Sequence, residues 1–342
     1  MKNNNNRLEV IDEIKGLGIL LVILGHSGPP MPLYRMIFGF HMPLFFLISG
    51  YLYSEEKWNR LGGRMLAVKR ARSYLIPYFV LSFVNLFLNG MIELRRFGFG
   101  KELAVSTFRH IFWIFYSYGS AERTPNCTPL WFLPCLFITY IYFYGIIKLQ
   151  KRLYRIVACV FMGLLDWMLY AFSVPQLPWH LDSALIGSIC MMAGYAISRY
   201  RLTDGGKSLI HISFLCMGAF CIYCNGILLG NEIDVNKNEL GRIELFWPGA
   251  ILMSGAIFCL CIRYLPHSRL LRFMGKNTII VLAFNNFLNL VTERTWSHLP
   301  VLGHYDYTWY RKTLVVTLIL LFFMYVWNLI RKKYSWNGFR YG

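Results

Sequence analysis

Lys15-Gly16-Leu17-Gly18-Ile19-Leu20-Leu21-Val22-Ile23-Leu24-Gly25-His26 sets a cation at one end of an apolar run and an imidazole at the other. Wound as a helix, at about 100° and 1.5 Å per residue, the stretch brings Lys15 and His26 to within roughly 20° of one face, about 16 Å apart along the axis. That rise is about half the depth of a bilayer's hydrocarbon core. An ionisable side chain so deep in lipid is costly, so it faces protein or a watered cavity and marks a functional site.

The surrounding composition makes the membrane setting concrete. Of 342 residues, 56% are hydrophobic and 15% charged, and the mean hydropathy is +0.43, outside the ordinary range of soluble domains. The formal net charge of +18 does not point to nucleic acid. A nucleic-acid binder gathers Lys and Arg on one solvated stripe, whereas here they stand in short clusters between apolar runs. Nine cysteines are scattered, nearly all within those runs. Cys221 and Cys224 form a CxxC with no second pair and no neighbouring histidine, which reads as small core residues and not a metal or redox site. Cys127 is the one thiol expected to be exposed. Gly25-His26-Ser27-Gly28-Pro29-Pro30 offers no small-x-small cleavage site, so the first apolar run is expected to remain in the mature chain.

Ten apolar runs are long enough to span a bilayer or nearly so, at 14–30, 35–54, 74–92, 128–147, 156–172, 183–198, 209–229, 246–262, 277–292 and 313–330. Residues 103–118 are apolar too, but Arg109-His110 interrupts them, and they are expected as an interfacial or re-entrant helix. With the N-terminus inside, the inner segments hold 24 of the 35 basic residues and only six of the 17 acidic ones. The remainder cancel, so the whole net charge falls on the cytoplasmic face. The expected architecture is an all-α integral membrane protein of about ten transmembrane helices, both termini cytoplasmic, forming one domain over 1–342. The outer segments 93–127, 173–182, 230–245 and 293–312 are rich in Trp, Tyr, His and acidic groups. They read either as an aromatic interfacial belt or as a carbohydrate platform, where rings stack on sugar C–H faces and carboxylates bind hydroxyls.

Several separated motifs resemble one family. Arg7 to His26, then Phe40-His41-Met42-Pro43-Leu44-Phe45-Phe46-Leu47-Ile48-Ser49-Gly50-Tyr51, resembles the opening of acyltransferase family 3, bacterial membrane O-acyltransferases that decorate surface polysaccharides and related glycans. Arg70-Ala71-Arg72-Ser73-Tyr74-Leu75-Ile76-Pro77-Tyr78 is similar to the basic segment opening the third span. Pro129-Leu130-Trp131-Phe132-Leu133 is similar to the family's P-L-W-F-L, and Gly275-Lys276-Asn277-Thr278 to a late G-K-N-S element. Leu177-Pro178-Trp179-His180-Leu181-Asp182 with Gly194-Tyr195 resembles the fucose 4-O-acetylase-like branch.

The resemblance implies transfer of an acyl group, acetyl by the branch likeness, from cytoplasmic acetyl-CoA to a hydroxyl of a cell-surface or lipid-linked glycan at the bacterial inner membrane. Membrane lipid and glycan-biosynthesis proteins are the expected partners, with no metal. The family's basic residue, ten positions and histidine map to Lys15 and His26. Arginine is usual at the first position, so Lys15 keeps the charge but loses the planar fork. His26 is the expected general base or acyl carrier, since neutral imidazole serves either role. His41 divides between a catalytic or substrate role and a bond to Ser49 or backbone. Asp12 pairs with Lys15 or orients the donor. Arg70 and Arg72 are donor-phosphate residues or ordinary positive-inside anchors. Ser49-Gly50 reads as a packing pair rather than a nucleophile. Asn85, Asn89 and Glu93 form a stripe that lines a cavity or bonds neighbouring helices. Many relatives end the late element in a histidine where this chain has Phe284-Asn285-Asn286. A glycan or glycolipid export protein on the same scaffold is the alternative function.

Overall fold

Each of the ten apolar runs falls on a helix, and the helices differ from the runs mainly where polar residues extend or interrupt them. A computed structural model describes residues 4–120, 123–124, 128–203, 208–296 and 308–333. In chain order the helices are α1 (Asn4–Gly25), α2 (Met31–Phe38), α3 (His41–Tyr51), α4 (Glu55–Phe97), α5 (Lys101–Tyr116), α6 (Phe132–Lys148), α7 (Arg152–Ala171), α8 (Ser183–Arg199), α9 (Ser208–Ile222), α10 (Ile243–Tyr264), α11 (Arg269–Lys276), α12 (Thr278–Trp296) and α13 (Trp309–Lys333). Among the described residues the only β pairing is an isolated bridge between Asp234 and Glu239. Cys127 and most of the 293–312 segment lie outside the described residues, and the eight described cysteines are free thiols.

Eight helical stretches are long and apolar enough to cross a membrane. The two runs left out, α1 and α12, have a physical reason to be more polar. Helix α1 packs against α2, α3, α10, α11, α12 and α13, so it is solvated by protein rather than lipid. Its first half holds Glu9, Asp12, Glu13 and Lys15. Glu13 is fully buried and receives Arg272 of α11 at 2.9 Å, and the same guanidinium reaches Glu9 at 2.9 Å. Glycines set the approach. A methyl on Gly16 would strike the Leu271 carbonyl, and one on Gly275 would strike that of Asp12. Helices α3 and α8 cross the same way, through Gly50 against Met191 and Gly194 against Leu47, as small residues allow in membrane bundles. Gly50 therefore has the packing role expected of it.

The second run is broken. Phe40 leaves the helical region (φ −139°), and its carbonyl accepts the Ser254 hydroxyl of α10 at 3.0 Å. The basic segment before the third span is itself helical, so α4 runs for 43 residues with a bend at Gly62, φ +80°. Ser54 caps its start, accepting from the Lys57 amide at 3.3 Å, with Glu55 and Glu56 in the first turn. The Asn85 stripe bonds neighbouring helices. Asn85 donates to the Ala283 carbonyl of α12 at 2.9 Å. Glu93 accepts from Asn89 and from Ser106 of α5, each at 3.0 Å.

The two ends of the bundle differ in chemistry. At the end where α1 and α4 begin, cationic clusters are tied by the Arg272 pairs and by Arg155, which bonds Glu55 at 3.0 Å and the Ile147 carbonyl at 2.7 Å. At the opposite end three of the outer segments interlock. Asn236 donates to the Gly119 carbonyl at 2.6 Å, Gln176 donates to the Asn236 carbonyl at 2.5 Å, and Ser183 donates to the Val235 carbonyl at 2.7 Å. His180 is fully buried within this cap, 4.7 Å from the Trp131 ring, and Asp182 is 3% exposed.

Candidate active site

A cavity of about 790 Å³ opens among the first halves of α1 and α4 and the junction of α11 with α12. Asp12 and Lys15 of α1 line it, with Lys57, Trp58, Arg70 and Tyr74 of α4, Lys276, Thr278 and Leu282 around α12, and Arg331 of α13. Tyr140 of α6 and Ser49 of α3 complete the wall used below. Five cations thus face one carboxylate. That carboxylate is 3.3 Å from Lys15. Among the described residues, Lys57, Lys276 and Arg331 have no carboxylate within ion-pair distance. The chamber therefore carries a positive field, and its aromatic and aliphatic walls lower the local dielectric.

Arg70 is the best-held of these cations. Its guanidinium lies 4.0 Å from the Tyr140 ring centroid and 5.2 Å from that of Trp58, and it bonds the Tyr74 hydroxyl at 3.3 Å. Planar stacking of this kind is open to arginine and closed to lysine. Arg72, two residues on, is exposed and lies outside the cavity wall. The sequence thus brings Asp12, Lys15 and Arg70 together and leaves Arg72 apart. It gave no sign that Lys57, Trp58 and Arg331 join them, and Lys276 stood out only within the late G-K-N-S likeness. For Lys57 and Trp58 the available signal was a tryptophan inside an otherwise basic segment.

His26 and His41 stand at the other end of the bundle, and the cavity wall includes neither. His26 follows the last residue of α1, where Gly28-Pro29-Pro30 stops the helix. Gly25 lacks a side chain where the Phe38 ring packs down. That ring meets His26 edge-on at 5.7 Å and His41 at 4.8 Å, and Tyr34 stacks on it at 4.0 Å. His41 is 2% exposed, and its Nδ1 donates to the Ile37 carbonyl at 2.8 Å. That bond leaves Nε2 of a neutral ring as an acceptor. His26 is half-buried, and its backbone carbonyl accepts from Asn289 of α12 at 3.2 Å. Between Lys15 and His26 on the same face of α1 stand Ile19 and Val22, both buried.

A helical bundle with eight stretches able to cross a bilayer and a cationic chamber facing one end defines a multi-pass membrane protein. A family model described as an acyltransferase domain, that of acyltransferase family 3, matches residues 8–330, and the chain belongs to this family. It is a membrane O-acyltransferase by that membership. Comparison with curated proteins and with solved structures gives no match.

Proposed function

We propose that this acyltransferase takes an acetyl group from cytoplasmic acetyl-CoA and delivers it to a hydroxyl of a cell-surface or lipid-linked glycan at a bacterial inner membrane. The observation that carries the reading is the cavity, in which five cations face one carboxylate at the basic end of the bundle. Coenzyme A bears three phosphate groups, and a chamber lined by Lys15, Lys57, Arg70, Lys276 and Arg331 suits them. The positive-inside bias supports a cytoplasmic setting for this end and for both termini.

Helix α1 then connects donor and acceptor. Lys15 stands at the donor cavity and His26 about 16 Å further along the axis by helical rise, beside Phe38 and Tyr34. The hydroxyl oxygen of the acceptor bonds to the acyl carbon, the C–S bond breaks, and the hydroxyl proton passes to the thiolate. His26 is the group that moves this proton or holds the acyl group in transit. Asp12, 3.3 Å from Lys15, fixes the lysine against the cavity wall, and His41 supports the Phe38 ring on which His26 rests.

The test feeds labelled acetyl-CoA to inverted membranes containing the wild type or His26→Ala and follows label into membrane and surface glycan. Incorporation in the wild type and a loss of at least a hundredfold in the variant is expected. Equal incorporation in both overturns the assignment of His26.

A further inference from the structure

Between the donor cavity and His26 the bundle keeps buried polar atoms with no hydrogen-bond partner among the described residues. Asn285 of α12 is fully buried, and both its Oδ1 and its Nδ2 lack a hydrogen-bond partner among the described residues. Asn289 Oδ1 and Asn85 Oδ1 are in the same condition, although each of these residues spends its Nδ2 on a carbonyl, of His26 and of Ala283 respectively. An unmet buried amide destabilises a fold. Among the described asparagines with unmet buried atoms, Asn285 is the one that leaves a side-chain N–H as well as its oxygen unmet, which packing does not account for.

Their placement follows the route of transfer. At 100° per residue, positions 278, 282, 285 and 289 fall within roughly 60° of one face of α12. Thr278 and Leu282 line the donor cavity. Asn289 bonds the carbonyl of His26. Asn285 lies between them, about 4.5 Å of rise beyond Leu282 and about 6 Å short of Asn289. A line from the cavity to the carbonyl of His26 along this face passes Asn285.

We propose that Asn285 binds the transferred acyl group, its side-chain N–H donating to the acyl carbonyl oxygen. The inference rests on the acetyl-CoA reading above. When the acceptor oxygen, or His26 on its behalf, bonds to the acyl carbon, the carbonyl electron pair moves onto that oxygen. Asn285 stabilises the charge until the C–S bond breaks and the pair returns, the proton leaving with the thiol. A preorganised donor in a site from which water is excluded is the arrangement that lowers such a barrier most. Asn285 Oδ1 remains as an acceptor for the attacking group's proton-bearing partner.

The decisive variant is Asn285→Leu, close in size and without polar atoms. Full-length protein is purified in detergent, CoA binding is titrated calorimetrically, thermal midpoint is recorded, and acetyl-label incorporation in membranes is expressed per CoA-binding molecule. The expected result is CoA affinity within about threefold of wild type, a thermal midpoint equal or higher because an unpaired amide has gone, and incorporation lowered about a hundredfold or more. Incorporation per CoA-binding molecule within about threefold of wild type overturns the proposal, whatever the thermal midpoint does. If the leucine variant does not accumulate, Asn285→Ala is judged by the same threshold. A wild type that binds no CoA and transfers no label overturns the acetyl-CoA reading and this inference with it. A wild type that transfers, beside Asn285 variants that transfer equally, removes Asn285 alone.

Discussion

Replacing Arg70 by lysine separates two roles that the cavity gives this residue. The guanidinium stacks on Tyr140 at 4.0 Å and stands 5.2 Å from Trp58 and 5.9 Å from Tyr74. Cation–π contacts contribute about 0.5–1 kcal/mol each at exposed sites and about 2 kcal/mol when desolvated. For a half-buried arginine with one close ring and two distant ones, roughly 2 kcal/mol of stability is at stake. Lysine keeps the charge and forfeits the stack, so Arg70→Lys is expected to lower the thermal midpoint of the purified protein. Its attraction for phosphate persists, so the donor KM rises by less than about tenfold, which corresponds to about 1.4 kcal/mol. Arg70→Met loses charge as well and raises donor KM by tenfold or more. The assays are differential scanning fluorimetry and donor-saturation kinetics on the same preparations. An Arg70→Lys protein as stable as wild type but unable to bind donor refutes the argument, because it shows that the fork grips the ligand instead of holding the wall.

Two further outcomes follow from the fold. Burial pushes the Asp234 carboxyl up to about 7, the Asn236 amide and Lys237 opposing the shift and Glu232 and Glu239 adding to it. The folded loop thus binds a proton that the unfolded chain releases near pH 4. That contribution, on the order of 4 kcal/mol at most, is complete below about pH 4 and is lost as the pH rises to about 7. Hydrogen exchange across 230–242, corrected for its intrinsic pH dependence, should quicken between pH 5 and pH 8 in the wild type and change little in Asp234→Asn. Among the glycines, Gly50→Ala drives a methyl into the Met191 carbonyl, whereas Gly90→Ala and Gly145→Ala meet open space. The first should cost about 1–3 kcal/mol or more, and the others should stabilise their helices by about 0.5–1 kcal/mol, read as opposite shifts in thermal midpoint.

Hydropathy located each of the eight helical stretches long and apolar enough to cross a membrane, because lipid-facing surfaces such as that of α7 must be apolar along their length. It failed where protein replaces lipid as the surroundings. Helix α1 carries Glu13 fully buried, a feature that only its partner Arg272 explains, and that partner is 259 residues away. The helical state of residues 55–72 was hidden by their charge, and they continue into the third span through a bend at Gly62. Lys15, Asp12 and Arg70 stood out through local spacing and a family likeness. Lys57, Lys276 and Arg331 reach the same chamber from three distant parts of the chain, and no local pattern announces such a meeting. Asn285 was visible as a polar residue in an apolar run. That its amide has no partner among the described residues is a property of its neighbours, not of its own sequence.

The placement of α1 also orders the birth of the molecule. Its apolar part, Gly16 to Gly25, rises only about 15 Å, too little to hold a lone helix across a bilayer, and the acidic half before it resists lipid. The helices that shelter it include α11, which supplies Arg272 for Glu13, and α12, whose Asn289 reaches back 263 residues to the carbonyl of His26. Synthesis therefore yields the first helix early and much of its housing, α10 to α13, last. The nascent chain must carry an unsheltered first segment until the final helices arrive, which makes the last quarter of translation, rather than the first insertion, the step at which this enzyme becomes active.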